Sequence, residues 1–178
     1  MKDISLIAFD ADDTLWECQT YFASVEKEYC DLLKHYAPVE EVSQALFATE
    51  TANMELLGYG SKAFILSLLE NATQVSHGKL TSAEVTAIIK MGKSLLQLPG
   101  KPLEGVVATM EKLRRSGLYR LVVFTKGELL DQECKFNRSG LRTYFDDFIV
   151  VSDKTPKAYE RLCDQFGIGI EELLMVGN

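Results

Sequence analysis

Three carboxylates stand within four residues at Asp10, Asp12 and Asp13, directly after the apolar run Ile4-Ser5-Leu6-Ile7-Ala8-Phe9. Charges so close repel one another unless a cation sits among them. Oxygen ligands on such a turn suit Mg²⁺, which takes one or two carboxylates and fills its remaining positions with water and phosphate oxygen. On the tetrapeptide alone an acidic turn that caps a helix is the alternative, because Asp and Thr are common there. Two more candidates also follow apolar runs. Thr125-Lys126-Gly127 comes after Leu121-Val122-Val123-Phe124, and Lys154 lies just past Phe148-Ile149-Val150-Val151. The amides of Lys126 and Gly127 could donate to an anion, as turns at helix N-termini do. A Thr before a Gly is, taken alone, more often a helix cap.

The elements around these residues alternate in a readable way. Residues 4–9 are apolar on both faces, which suits a buried parallel strand better than a short amphipathic helix. From about residue 20 to 98 the apolar spacing is helical, as in Val25, Tyr29, Leu32 and Leu33, then in Phe64, Ile65, Leu68 and Leu69. Thr81 and Glu84 have the spacing of a capping box. Four or so consecutive helices without a strand are expected there. After Pro99-Gly100 the rhythm becomes a helix over 103–116, a strand over 121–124, a helix over 128–139, a strand over 148–151, a helix over 155–166 and a strand over 173–176. Strands alternating with helices imply a parallel sheet covered on both faces, with ligands at the carboxyl ends of the strands. The expected architecture is therefore α/β: a doubly wound, Rossmann-like core from residues 1–16 and 99–178, with a helical domain inserted over 17–98.

Composition narrows the function. A net charge of −7 argues against a general nucleic-acid or anionic-membrane surface, but not against a phosphorylated small molecule, since a local metal ion and one lysine can reverse the field inside a pocket. Cys18, Cys30, Cys134 and Cys163 form no C-x-x-C pair and read as free thiols in a reducing cytosol. The first residues lack signal-peptide architecture, and no apolar stretch approaches the ~20 residues of a membrane helix, so a cytoplasmic location is expected. His35 and His77 fall in the helical insert, away from every candidate, and read as surface or packing residues.

A strand followed by Asp10-x-Asp12-x-Thr14 resembles the first motif of the haloacid dehalogenase superfamily, and the resemblance extends over nearly the whole chain. It implies that Asp10 is a nucleophile, that Asp12 protonates the leaving group and then activates water, and that the Thr14 hydroxyl helps to hold the turn. A carboxylate nucleophile forms an aspartyl phosphate and so divides a difficult displacement into two easier ones. An acid and base at Asp12 calls for surroundings that raise its pKa. Thr125 matches the second motif, whose hydroxyl binds the transferring phosphoryl group. Lys154 matches the third, a cation that neutralises nucleophile and phosphate, although relatives often have Lys directly before Pro and this chain has Lys154-Thr155-Pro156. Lys157, one helical turn on, is expected to face solvent. Asp13 matches no catalytic position and reads as a turn-stabilising carboxylate.

Asp12 favours phosphate-ester hydrolysis, because dehalogenases of the family usually lack an acid there. The expectation is a Mg²⁺-dependent phosphatase acting on a small phosphorylated metabolite, with Asp10 and Asp12 as metal ligands, the latter through its carbonyl. The phosphate would be held by Thr125, Lys126, Gly127 and Lys154. A sugar phosphomutase carries the same Asp and is the nearest enzymatic alternative; a binding or regulatory module without turnover is the alternative of another class. In the family the inserted helices form a cap over the active site. The fourth motif usually supplies a further metal-ligating acid after a strand such as Leu174-Met175-Val176-Gly177-Asn178. That acid is expected beyond Asn178, and with it the C-terminal part of the core.

Overall fold

The computed structural model describes residues 3–177. In chain order the elements are β1 (Leu6–Phe9), α1 (Gln19–Leu33), α2 (Val39–Leu57), α3 (Ser61–Val75), α4 (Ser82–Leu95), α5 (Val106–Ser116), β2 (Arg120–Lys126), α6 (Leu129–Ser139), β3 (Asp147–Val151), α7 (Pro156–Phe166) and β4 (Leu173–Val176). The chain divides into two compact units. One takes the N-terminal segment through Cys18 and everything from Pro99 onward; the other is Gln19–Leu98.

The first unit is a parallel sheet in the order β3-β2-β1-β4. Its two central strands are apolar at every inward position because both faces are covered. Ile7 and Phe9 of β1, with Leu121 and Val123 of β2, pack on one side with Trp16, Met110, Phe136 and Leu141. Leu6 and Ala8, with Val122 and Phe124, pack on the other with Leu162. Each such Leu or Phe contributes roughly 1.5–3 kcal/mol by leaving water, so a charge at Leu6 or Val122 would strike at the centre of the fold. The strand order places the ends of β1 and β2 side by side, and those ends carry the acidic turn and Thr125.

Several boundaries differ from the periodicity, each for a local reason. The helix expected from residue 103 begins at Val106, because Gly105 takes a left-handed φ of 81° and the Leu103 N–H is drawn to the Leu15 carbonyl at 3.0 Å. β2 runs two residues beyond the expected 121–124, since Thr125 and Lys126 stay in register with Val150 and Val151 of β3. α7 begins as its sequence dictates: the Thr155 hydroxyl accepts the Ala158 N–H and Pro156 opens the first turn.

The second unit is four helices without a strand. Leu33, Val42, Leu46, Leu68 and Ile88 are withdrawn from solvent and form its apolar centre. Gly92 of α4 lets Ile65 of α3 approach, for a Cβ there would sit 2.1 Å from the isoleucine Cγ1. The Tyr29 hydroxyl reaches the Leu68 carbonyl at 3.0 Å and the Asn71 side-chain oxygen at 2.5 Å, tying α1 to α3. The capping box at Thr81 and Glu84 is present as its spacing predicts. Among the described residues no helix is long and apolar enough to cross a membrane. All four cysteines are free thiols.

Candidate active site

Asp10 leaves the end of β1 with its N–H donated to the Val176 carbonyl of β4 at 2.8 Å, which fixes its Cα at the lip of the sheet. The Lys154 ammonium, in the turn after β3, meets its carboxylate with Nζ 2.5 Å from Oδ1. A Cβ on Gly177 would lie 3.1 Å from the Asp10 Cβ, so the chain leaving β4 passes close beside this carboxylate and a larger residue would press on it. Tyr159 of α7 is also near: burial and then the Asp10 charge hold its phenol above the usual tyrosine range. Lys157 is exposed, as its place in the helix predicts.

The turn after Asp10 is held mainly by its backbone. The Thr14 and Leu15 N–H groups both donate to the Ala11 carbonyl, at 3.2 and 2.8 Å, and Asp13 donates to the Trp16 carbonyl at 2.8 Å. Asp13 sits at a left-handed φ of 56°, a conformation that Asp tolerates better than most residues, and its carboxylate accepts the Cys18 N–H at 2.9 Å. Thr14 departs from expectation. Its hydroxyl is buried without a hydrogen-bond partner, so the turn is secured by main-chain bonds and by Asp13 instead.

Asp12 departs further. Its carboxylate turns to α6, where the Lys135 ammonium lies 2.8 Å from both oxygens and the Gln132 amide donates to Oδ2 at 2.9 Å. The Trp16 indole N–H donates to Oδ1 at 2.8 Å. Burial alone would raise the Asp12 pKa, but the Lys135 charge and these donors outweigh it and hold the carboxyl below its ordinary range. The surroundings thus favour the anion, opposite to the raised pKa expected of an acid. Lys135 mirrors this: burial opposes its charge, Asp12 prevails, and the ammonium is held above the ordinary lysine range. Cys18, 4.0 Å from Lys135, is pushed up to about 12 by burial and the Asp12 charge, so its thiol stays protonated.

Thr125 is buried near the end of β2, and its hydroxyl makes only a long 3.4 Å contact to the Lys126 carbonyl, which leaves it able to turn. The amide expected at Gly127 is otherwise engaged: its N–H donates to the Val151 carbonyl at 3.1 Å and extends the β2–β3 ladder. It is not available to an anion in this arrangement, because the strand continues past Thr125.

Among the described residues, the oxygen atoms of the first motif on offer to a cation are those of the Asp10 carboxylate, one of them shared with Lys154, and the Asp12 carbonyl. The latter stays outside the local bridge, which runs from Trp16 N–H to Ala11 O and from Asp13 N–H to Trp16 O. The Asp12 carboxylate is committed to its three donors. Among the described residues no three His, Cys, Asp or Glu side chains converge as a metal cluster. A hard ion that keeps water and substrate oxygens in its shell fits such a sparse donor set.

Lys135 and Gln132 escaped the sequence reading. The signal was available: Asp131, Gln132 and Lys135 repeat at i, i+1 and i+4 beside Phe136 and Ser139, so a polar stripe occupies the face that α6 buries.

The family model for haloacid dehalogenase-like hydrolases matches residues 4–178. The chain belongs to this family. A haloacid dehalogenase-like family hydrolase from Xanthomonas campestris is 33% identical, with a TM-score of 0.92 over 98% of this chain and 73% of that one. Two more distant structures share the fold. YfnB from Bacillus subtilis, a proposed HAD-hydrolase bound to magnesium, is 16% identical with a TM-score of 0.65 over 99% of this chain and 79% of its own. The L-2-haloacid dehalogenase of Xanthobacter autotrophicus is 17% identical with a TM-score of 0.59, over 97% and 69%. No curated protein sequence matches the chain. As a haloacid dehalogenase-like hydrolase, the protein holds its first acidic motif, its Thr125 strand and Lys154 at the carboxyl ends of neighbouring parallel strands.

Proposed function

We propose that this hydrolase is a Mg²⁺-dependent phosphatase of small phosphorylated metabolites, working through an aspartyl phosphate on Asp10. The observation that carries the proposal is the Asp10–Lys154 pair at the lip of the sheet, with Nζ 2.5 Å from Oδ1. The lysine holds one oxygen of the nucleophile in place, and its ammonium can turn a hydrogen bond to a phosphoryl oxygen as the new bond forms, keeping its own charge. In the first half-reaction an Asp10 oxygen attacks phosphorus and the ester oxygen departs with a proton. In the second, water attacks phosphorus, the Asp10–phosphorus link breaks and phosphate leaves. The Thr125 hydroxyl, without a strong partner, can turn to the transferring group. Mg²⁺, held by the Asp10 carboxylate and the Asp12 carbonyl, would supply charge neutralisation of the phosphoryl oxygens. The anionic Asp12 suits the second half, where a base takes a proton from water. For the first half it must part from Lys135 and carry a proton. The cap role of the helical unit belongs to the same proposal.

The tethered Asp12 also favours a second reading, hydrolytic dehalogenation. There Asp10 attacks carbon and a halide leaves without needing a proton, so an Asp12 held as an anion is no handicap. Two assays separate the readings: phosphate release from para-nitrophenyl phosphate with and without Mg²⁺, and halide release from a 2-haloacid. Mg²⁺-dependent phosphate release that disappears in Asp10→Asn supports the phosphatase. Halide release without phosphate release overturns it.

A further inference from the structure

One side chain joins the two loops that the reaction must hold in register. The amide nitrogen of Gln132, on α6, donates to Asp12 Oδ2 at 2.9 Å and to the Lys126 carbonyl at 3.1 Å. Asp12 lies two residues after the nucleophile at the end of β1, and Lys126 follows Thr125 at the end of β2. The two hydrogens of one NH₂ group therefore tie the loop of the attacking carboxylate to the loop of the phosphoryl-binding hydroxyl. Both ends of the tie are firm. Asp12 is gripped by Lys135 and Trp16, and the Lys126 carbonyl belongs to a strand in register with β3.

The surroundings are shaped to this tie. Gly127 has a φ of 137°, and a Cβ there would meet Gln132 Nε2 at 3.0 Å and Cγ at 3.4 Å, so the chain carries no side chain where the glutamine crosses it. Gln132 is 3% exposed, and its oxygen is buried without a partner. A buried amide with one unsatisfied end costs stability, so this glutamine is placed here at some expense to the fold.

We propose that Gln132 is a positioning residue, which sets the distance between the Asp10 carboxylate and the Thr125 hydroxyl by bridging their loops. The proposal rests on Asp10 and Thr125 sharing one substrate, as the phosphatase reading has it. Displacement of reacting groups by about 1 Å can cost on the order of 10²-fold in rate, which sets the scale of the effect.

The test uses the whole chain with Gln132→Met and Gln132→Glu, both close to the native side chain in length and both without the NH₂ group. Turnover is measured on para-nitrophenyl phosphate, whose leaving group needs no proton, and on glycerol phosphate, whose leaving group does. A lost bridge misplaces attack itself, so kcat falls by about 10- to 100-fold on both esters alike, with KM within about twofold. In parallel, amide hydrogen exchange in residues 10–16 and 125–127 quickens while that of β1 and β2 does not. Unchanged kcat, or a loss confined to glycerol phosphate, overturns the proposal, the latter because the residue would then act through Asp12 alone. If neither variant folds, Gln132 is a packing element and the proposal fails. If the wild-type chain hydrolyses neither ester, the phosphatase reading fails separately, and the exchange measurement alone decides whether the bridge couples the loops.

Discussion

In the α/β unit two ion pairs drawn largely out of solvent lie at the carboxyl ends of the strands: Asp10 with Lys154, and Asp12 with Lys135. In the helical unit polar side chains, several of them only partly withdrawn from solvent, are spread along the helices, and some join one helix to another. Tyr29 bonds Asn71, Asn53 bonds Ser67 and Glu70, and the Ser43 hydroxyl bonds Glu26. The first unit thus brings together charges that would repel or sit unpaired without one another, an arrangement that helix packing does not require. The second uses polarity to fix helix against helix. Substitutions should therefore separate the two kinds of contact by what they damage, activity at the strand-end pairs and stability alone at the contacts that fix helix against helix.

The largest effect is expected at the nucleophile. Asp10→Asn keeps nearly the same shape but cannot attack phosphorus, so turnover on para-nitrophenyl phosphate should fall below about a thousandth of wild type. Circular dichroism should stay native and the melting temperature should move by only a few degrees. Retained turnover would break the comparison at its strongest point.

Next is Lys135→Met, which should damage both properties at once. Removing one partner of a buried ion pair costs about 3–5 kcal/mol, and the low end applies because Asp12 is 30% exposed. The pH dependence follows from the directions of the two shifts. Asp12 is depressed below 3.8, so its contribution is full above that value and is lost as pH falls through its own lower pKa. Lys135 is raised above 10.5, so its contribution is full below that value and is lost as pH climbs through its own higher one. Urea midpoints of variant and wild type should differ by a constant amount between about pH 5 and 9 and converge in strong acid. A gap that grows in acid would show that the pair does not carry the stability assigned to it.

Thr81→Ala should lie wholly on the other side of the comparison. It removes the hydroxyl that accepts the Glu84 N–H at the start of α4 and should cost about 1 kcal/mol. Turnover per folded molecule should not change. A fall in kcat with the fold intact would mean that the helical unit contributes to chemistry through α4.

How much of this was legible in the sequence differs between the units for physical reasons. Strands such as Leu6–Phe9 declare themselves, because burial on both faces leaves no room for polar residues; Asp10 follows that strand directly, Thr125 ends the apolar run of β2, and Lys154 lies in the turn after β3. Helix rhythm and the Thr81–Glu84 spacing gave the second unit its elements. Pairings across the chain were not legible. Nothing local to Lys135 says that its ammonium meets Asp12, 123 residues away, and that single contact reverses the pKa shift expected of the acid. The amide of Gly127 was misjudged because the end of β2 is set by pairing with β3 rather than by its own composition.

The smallest effect, and the finest test of the comparison, is at Glu50 in α2. Burial first and then the charge of Glu26 hold its carboxyl above the ordinary range. Among the described residues no cation pairs with it in the way that Lys135 pairs with Asp12, so the shift has the opposite sign. A carboxyl raised in the folded state binds more protons there than in the unfolded chain, between the unfolded value near 4.5 and its own higher one. Stability from this residue must then decline as pH rises through that window, whereas Asp12 lends stability as pH rises from acid. Glu50→Gln removes the titration and the repulsion from Glu26, so the helical unit should become slightly more stable at pH 7 and lose this slope. Glu50 is only half-buried, so solvent screening keeps the gain below about 1 kcal/mol. Melting curves of wild type and Glu50→Gln from pH 4 to 8 would measure it. Curves that diverge with rising pH, the variant melting higher, match the expectation. Curves that converge at pH 7 would mean that Glu50 has a compensating partner.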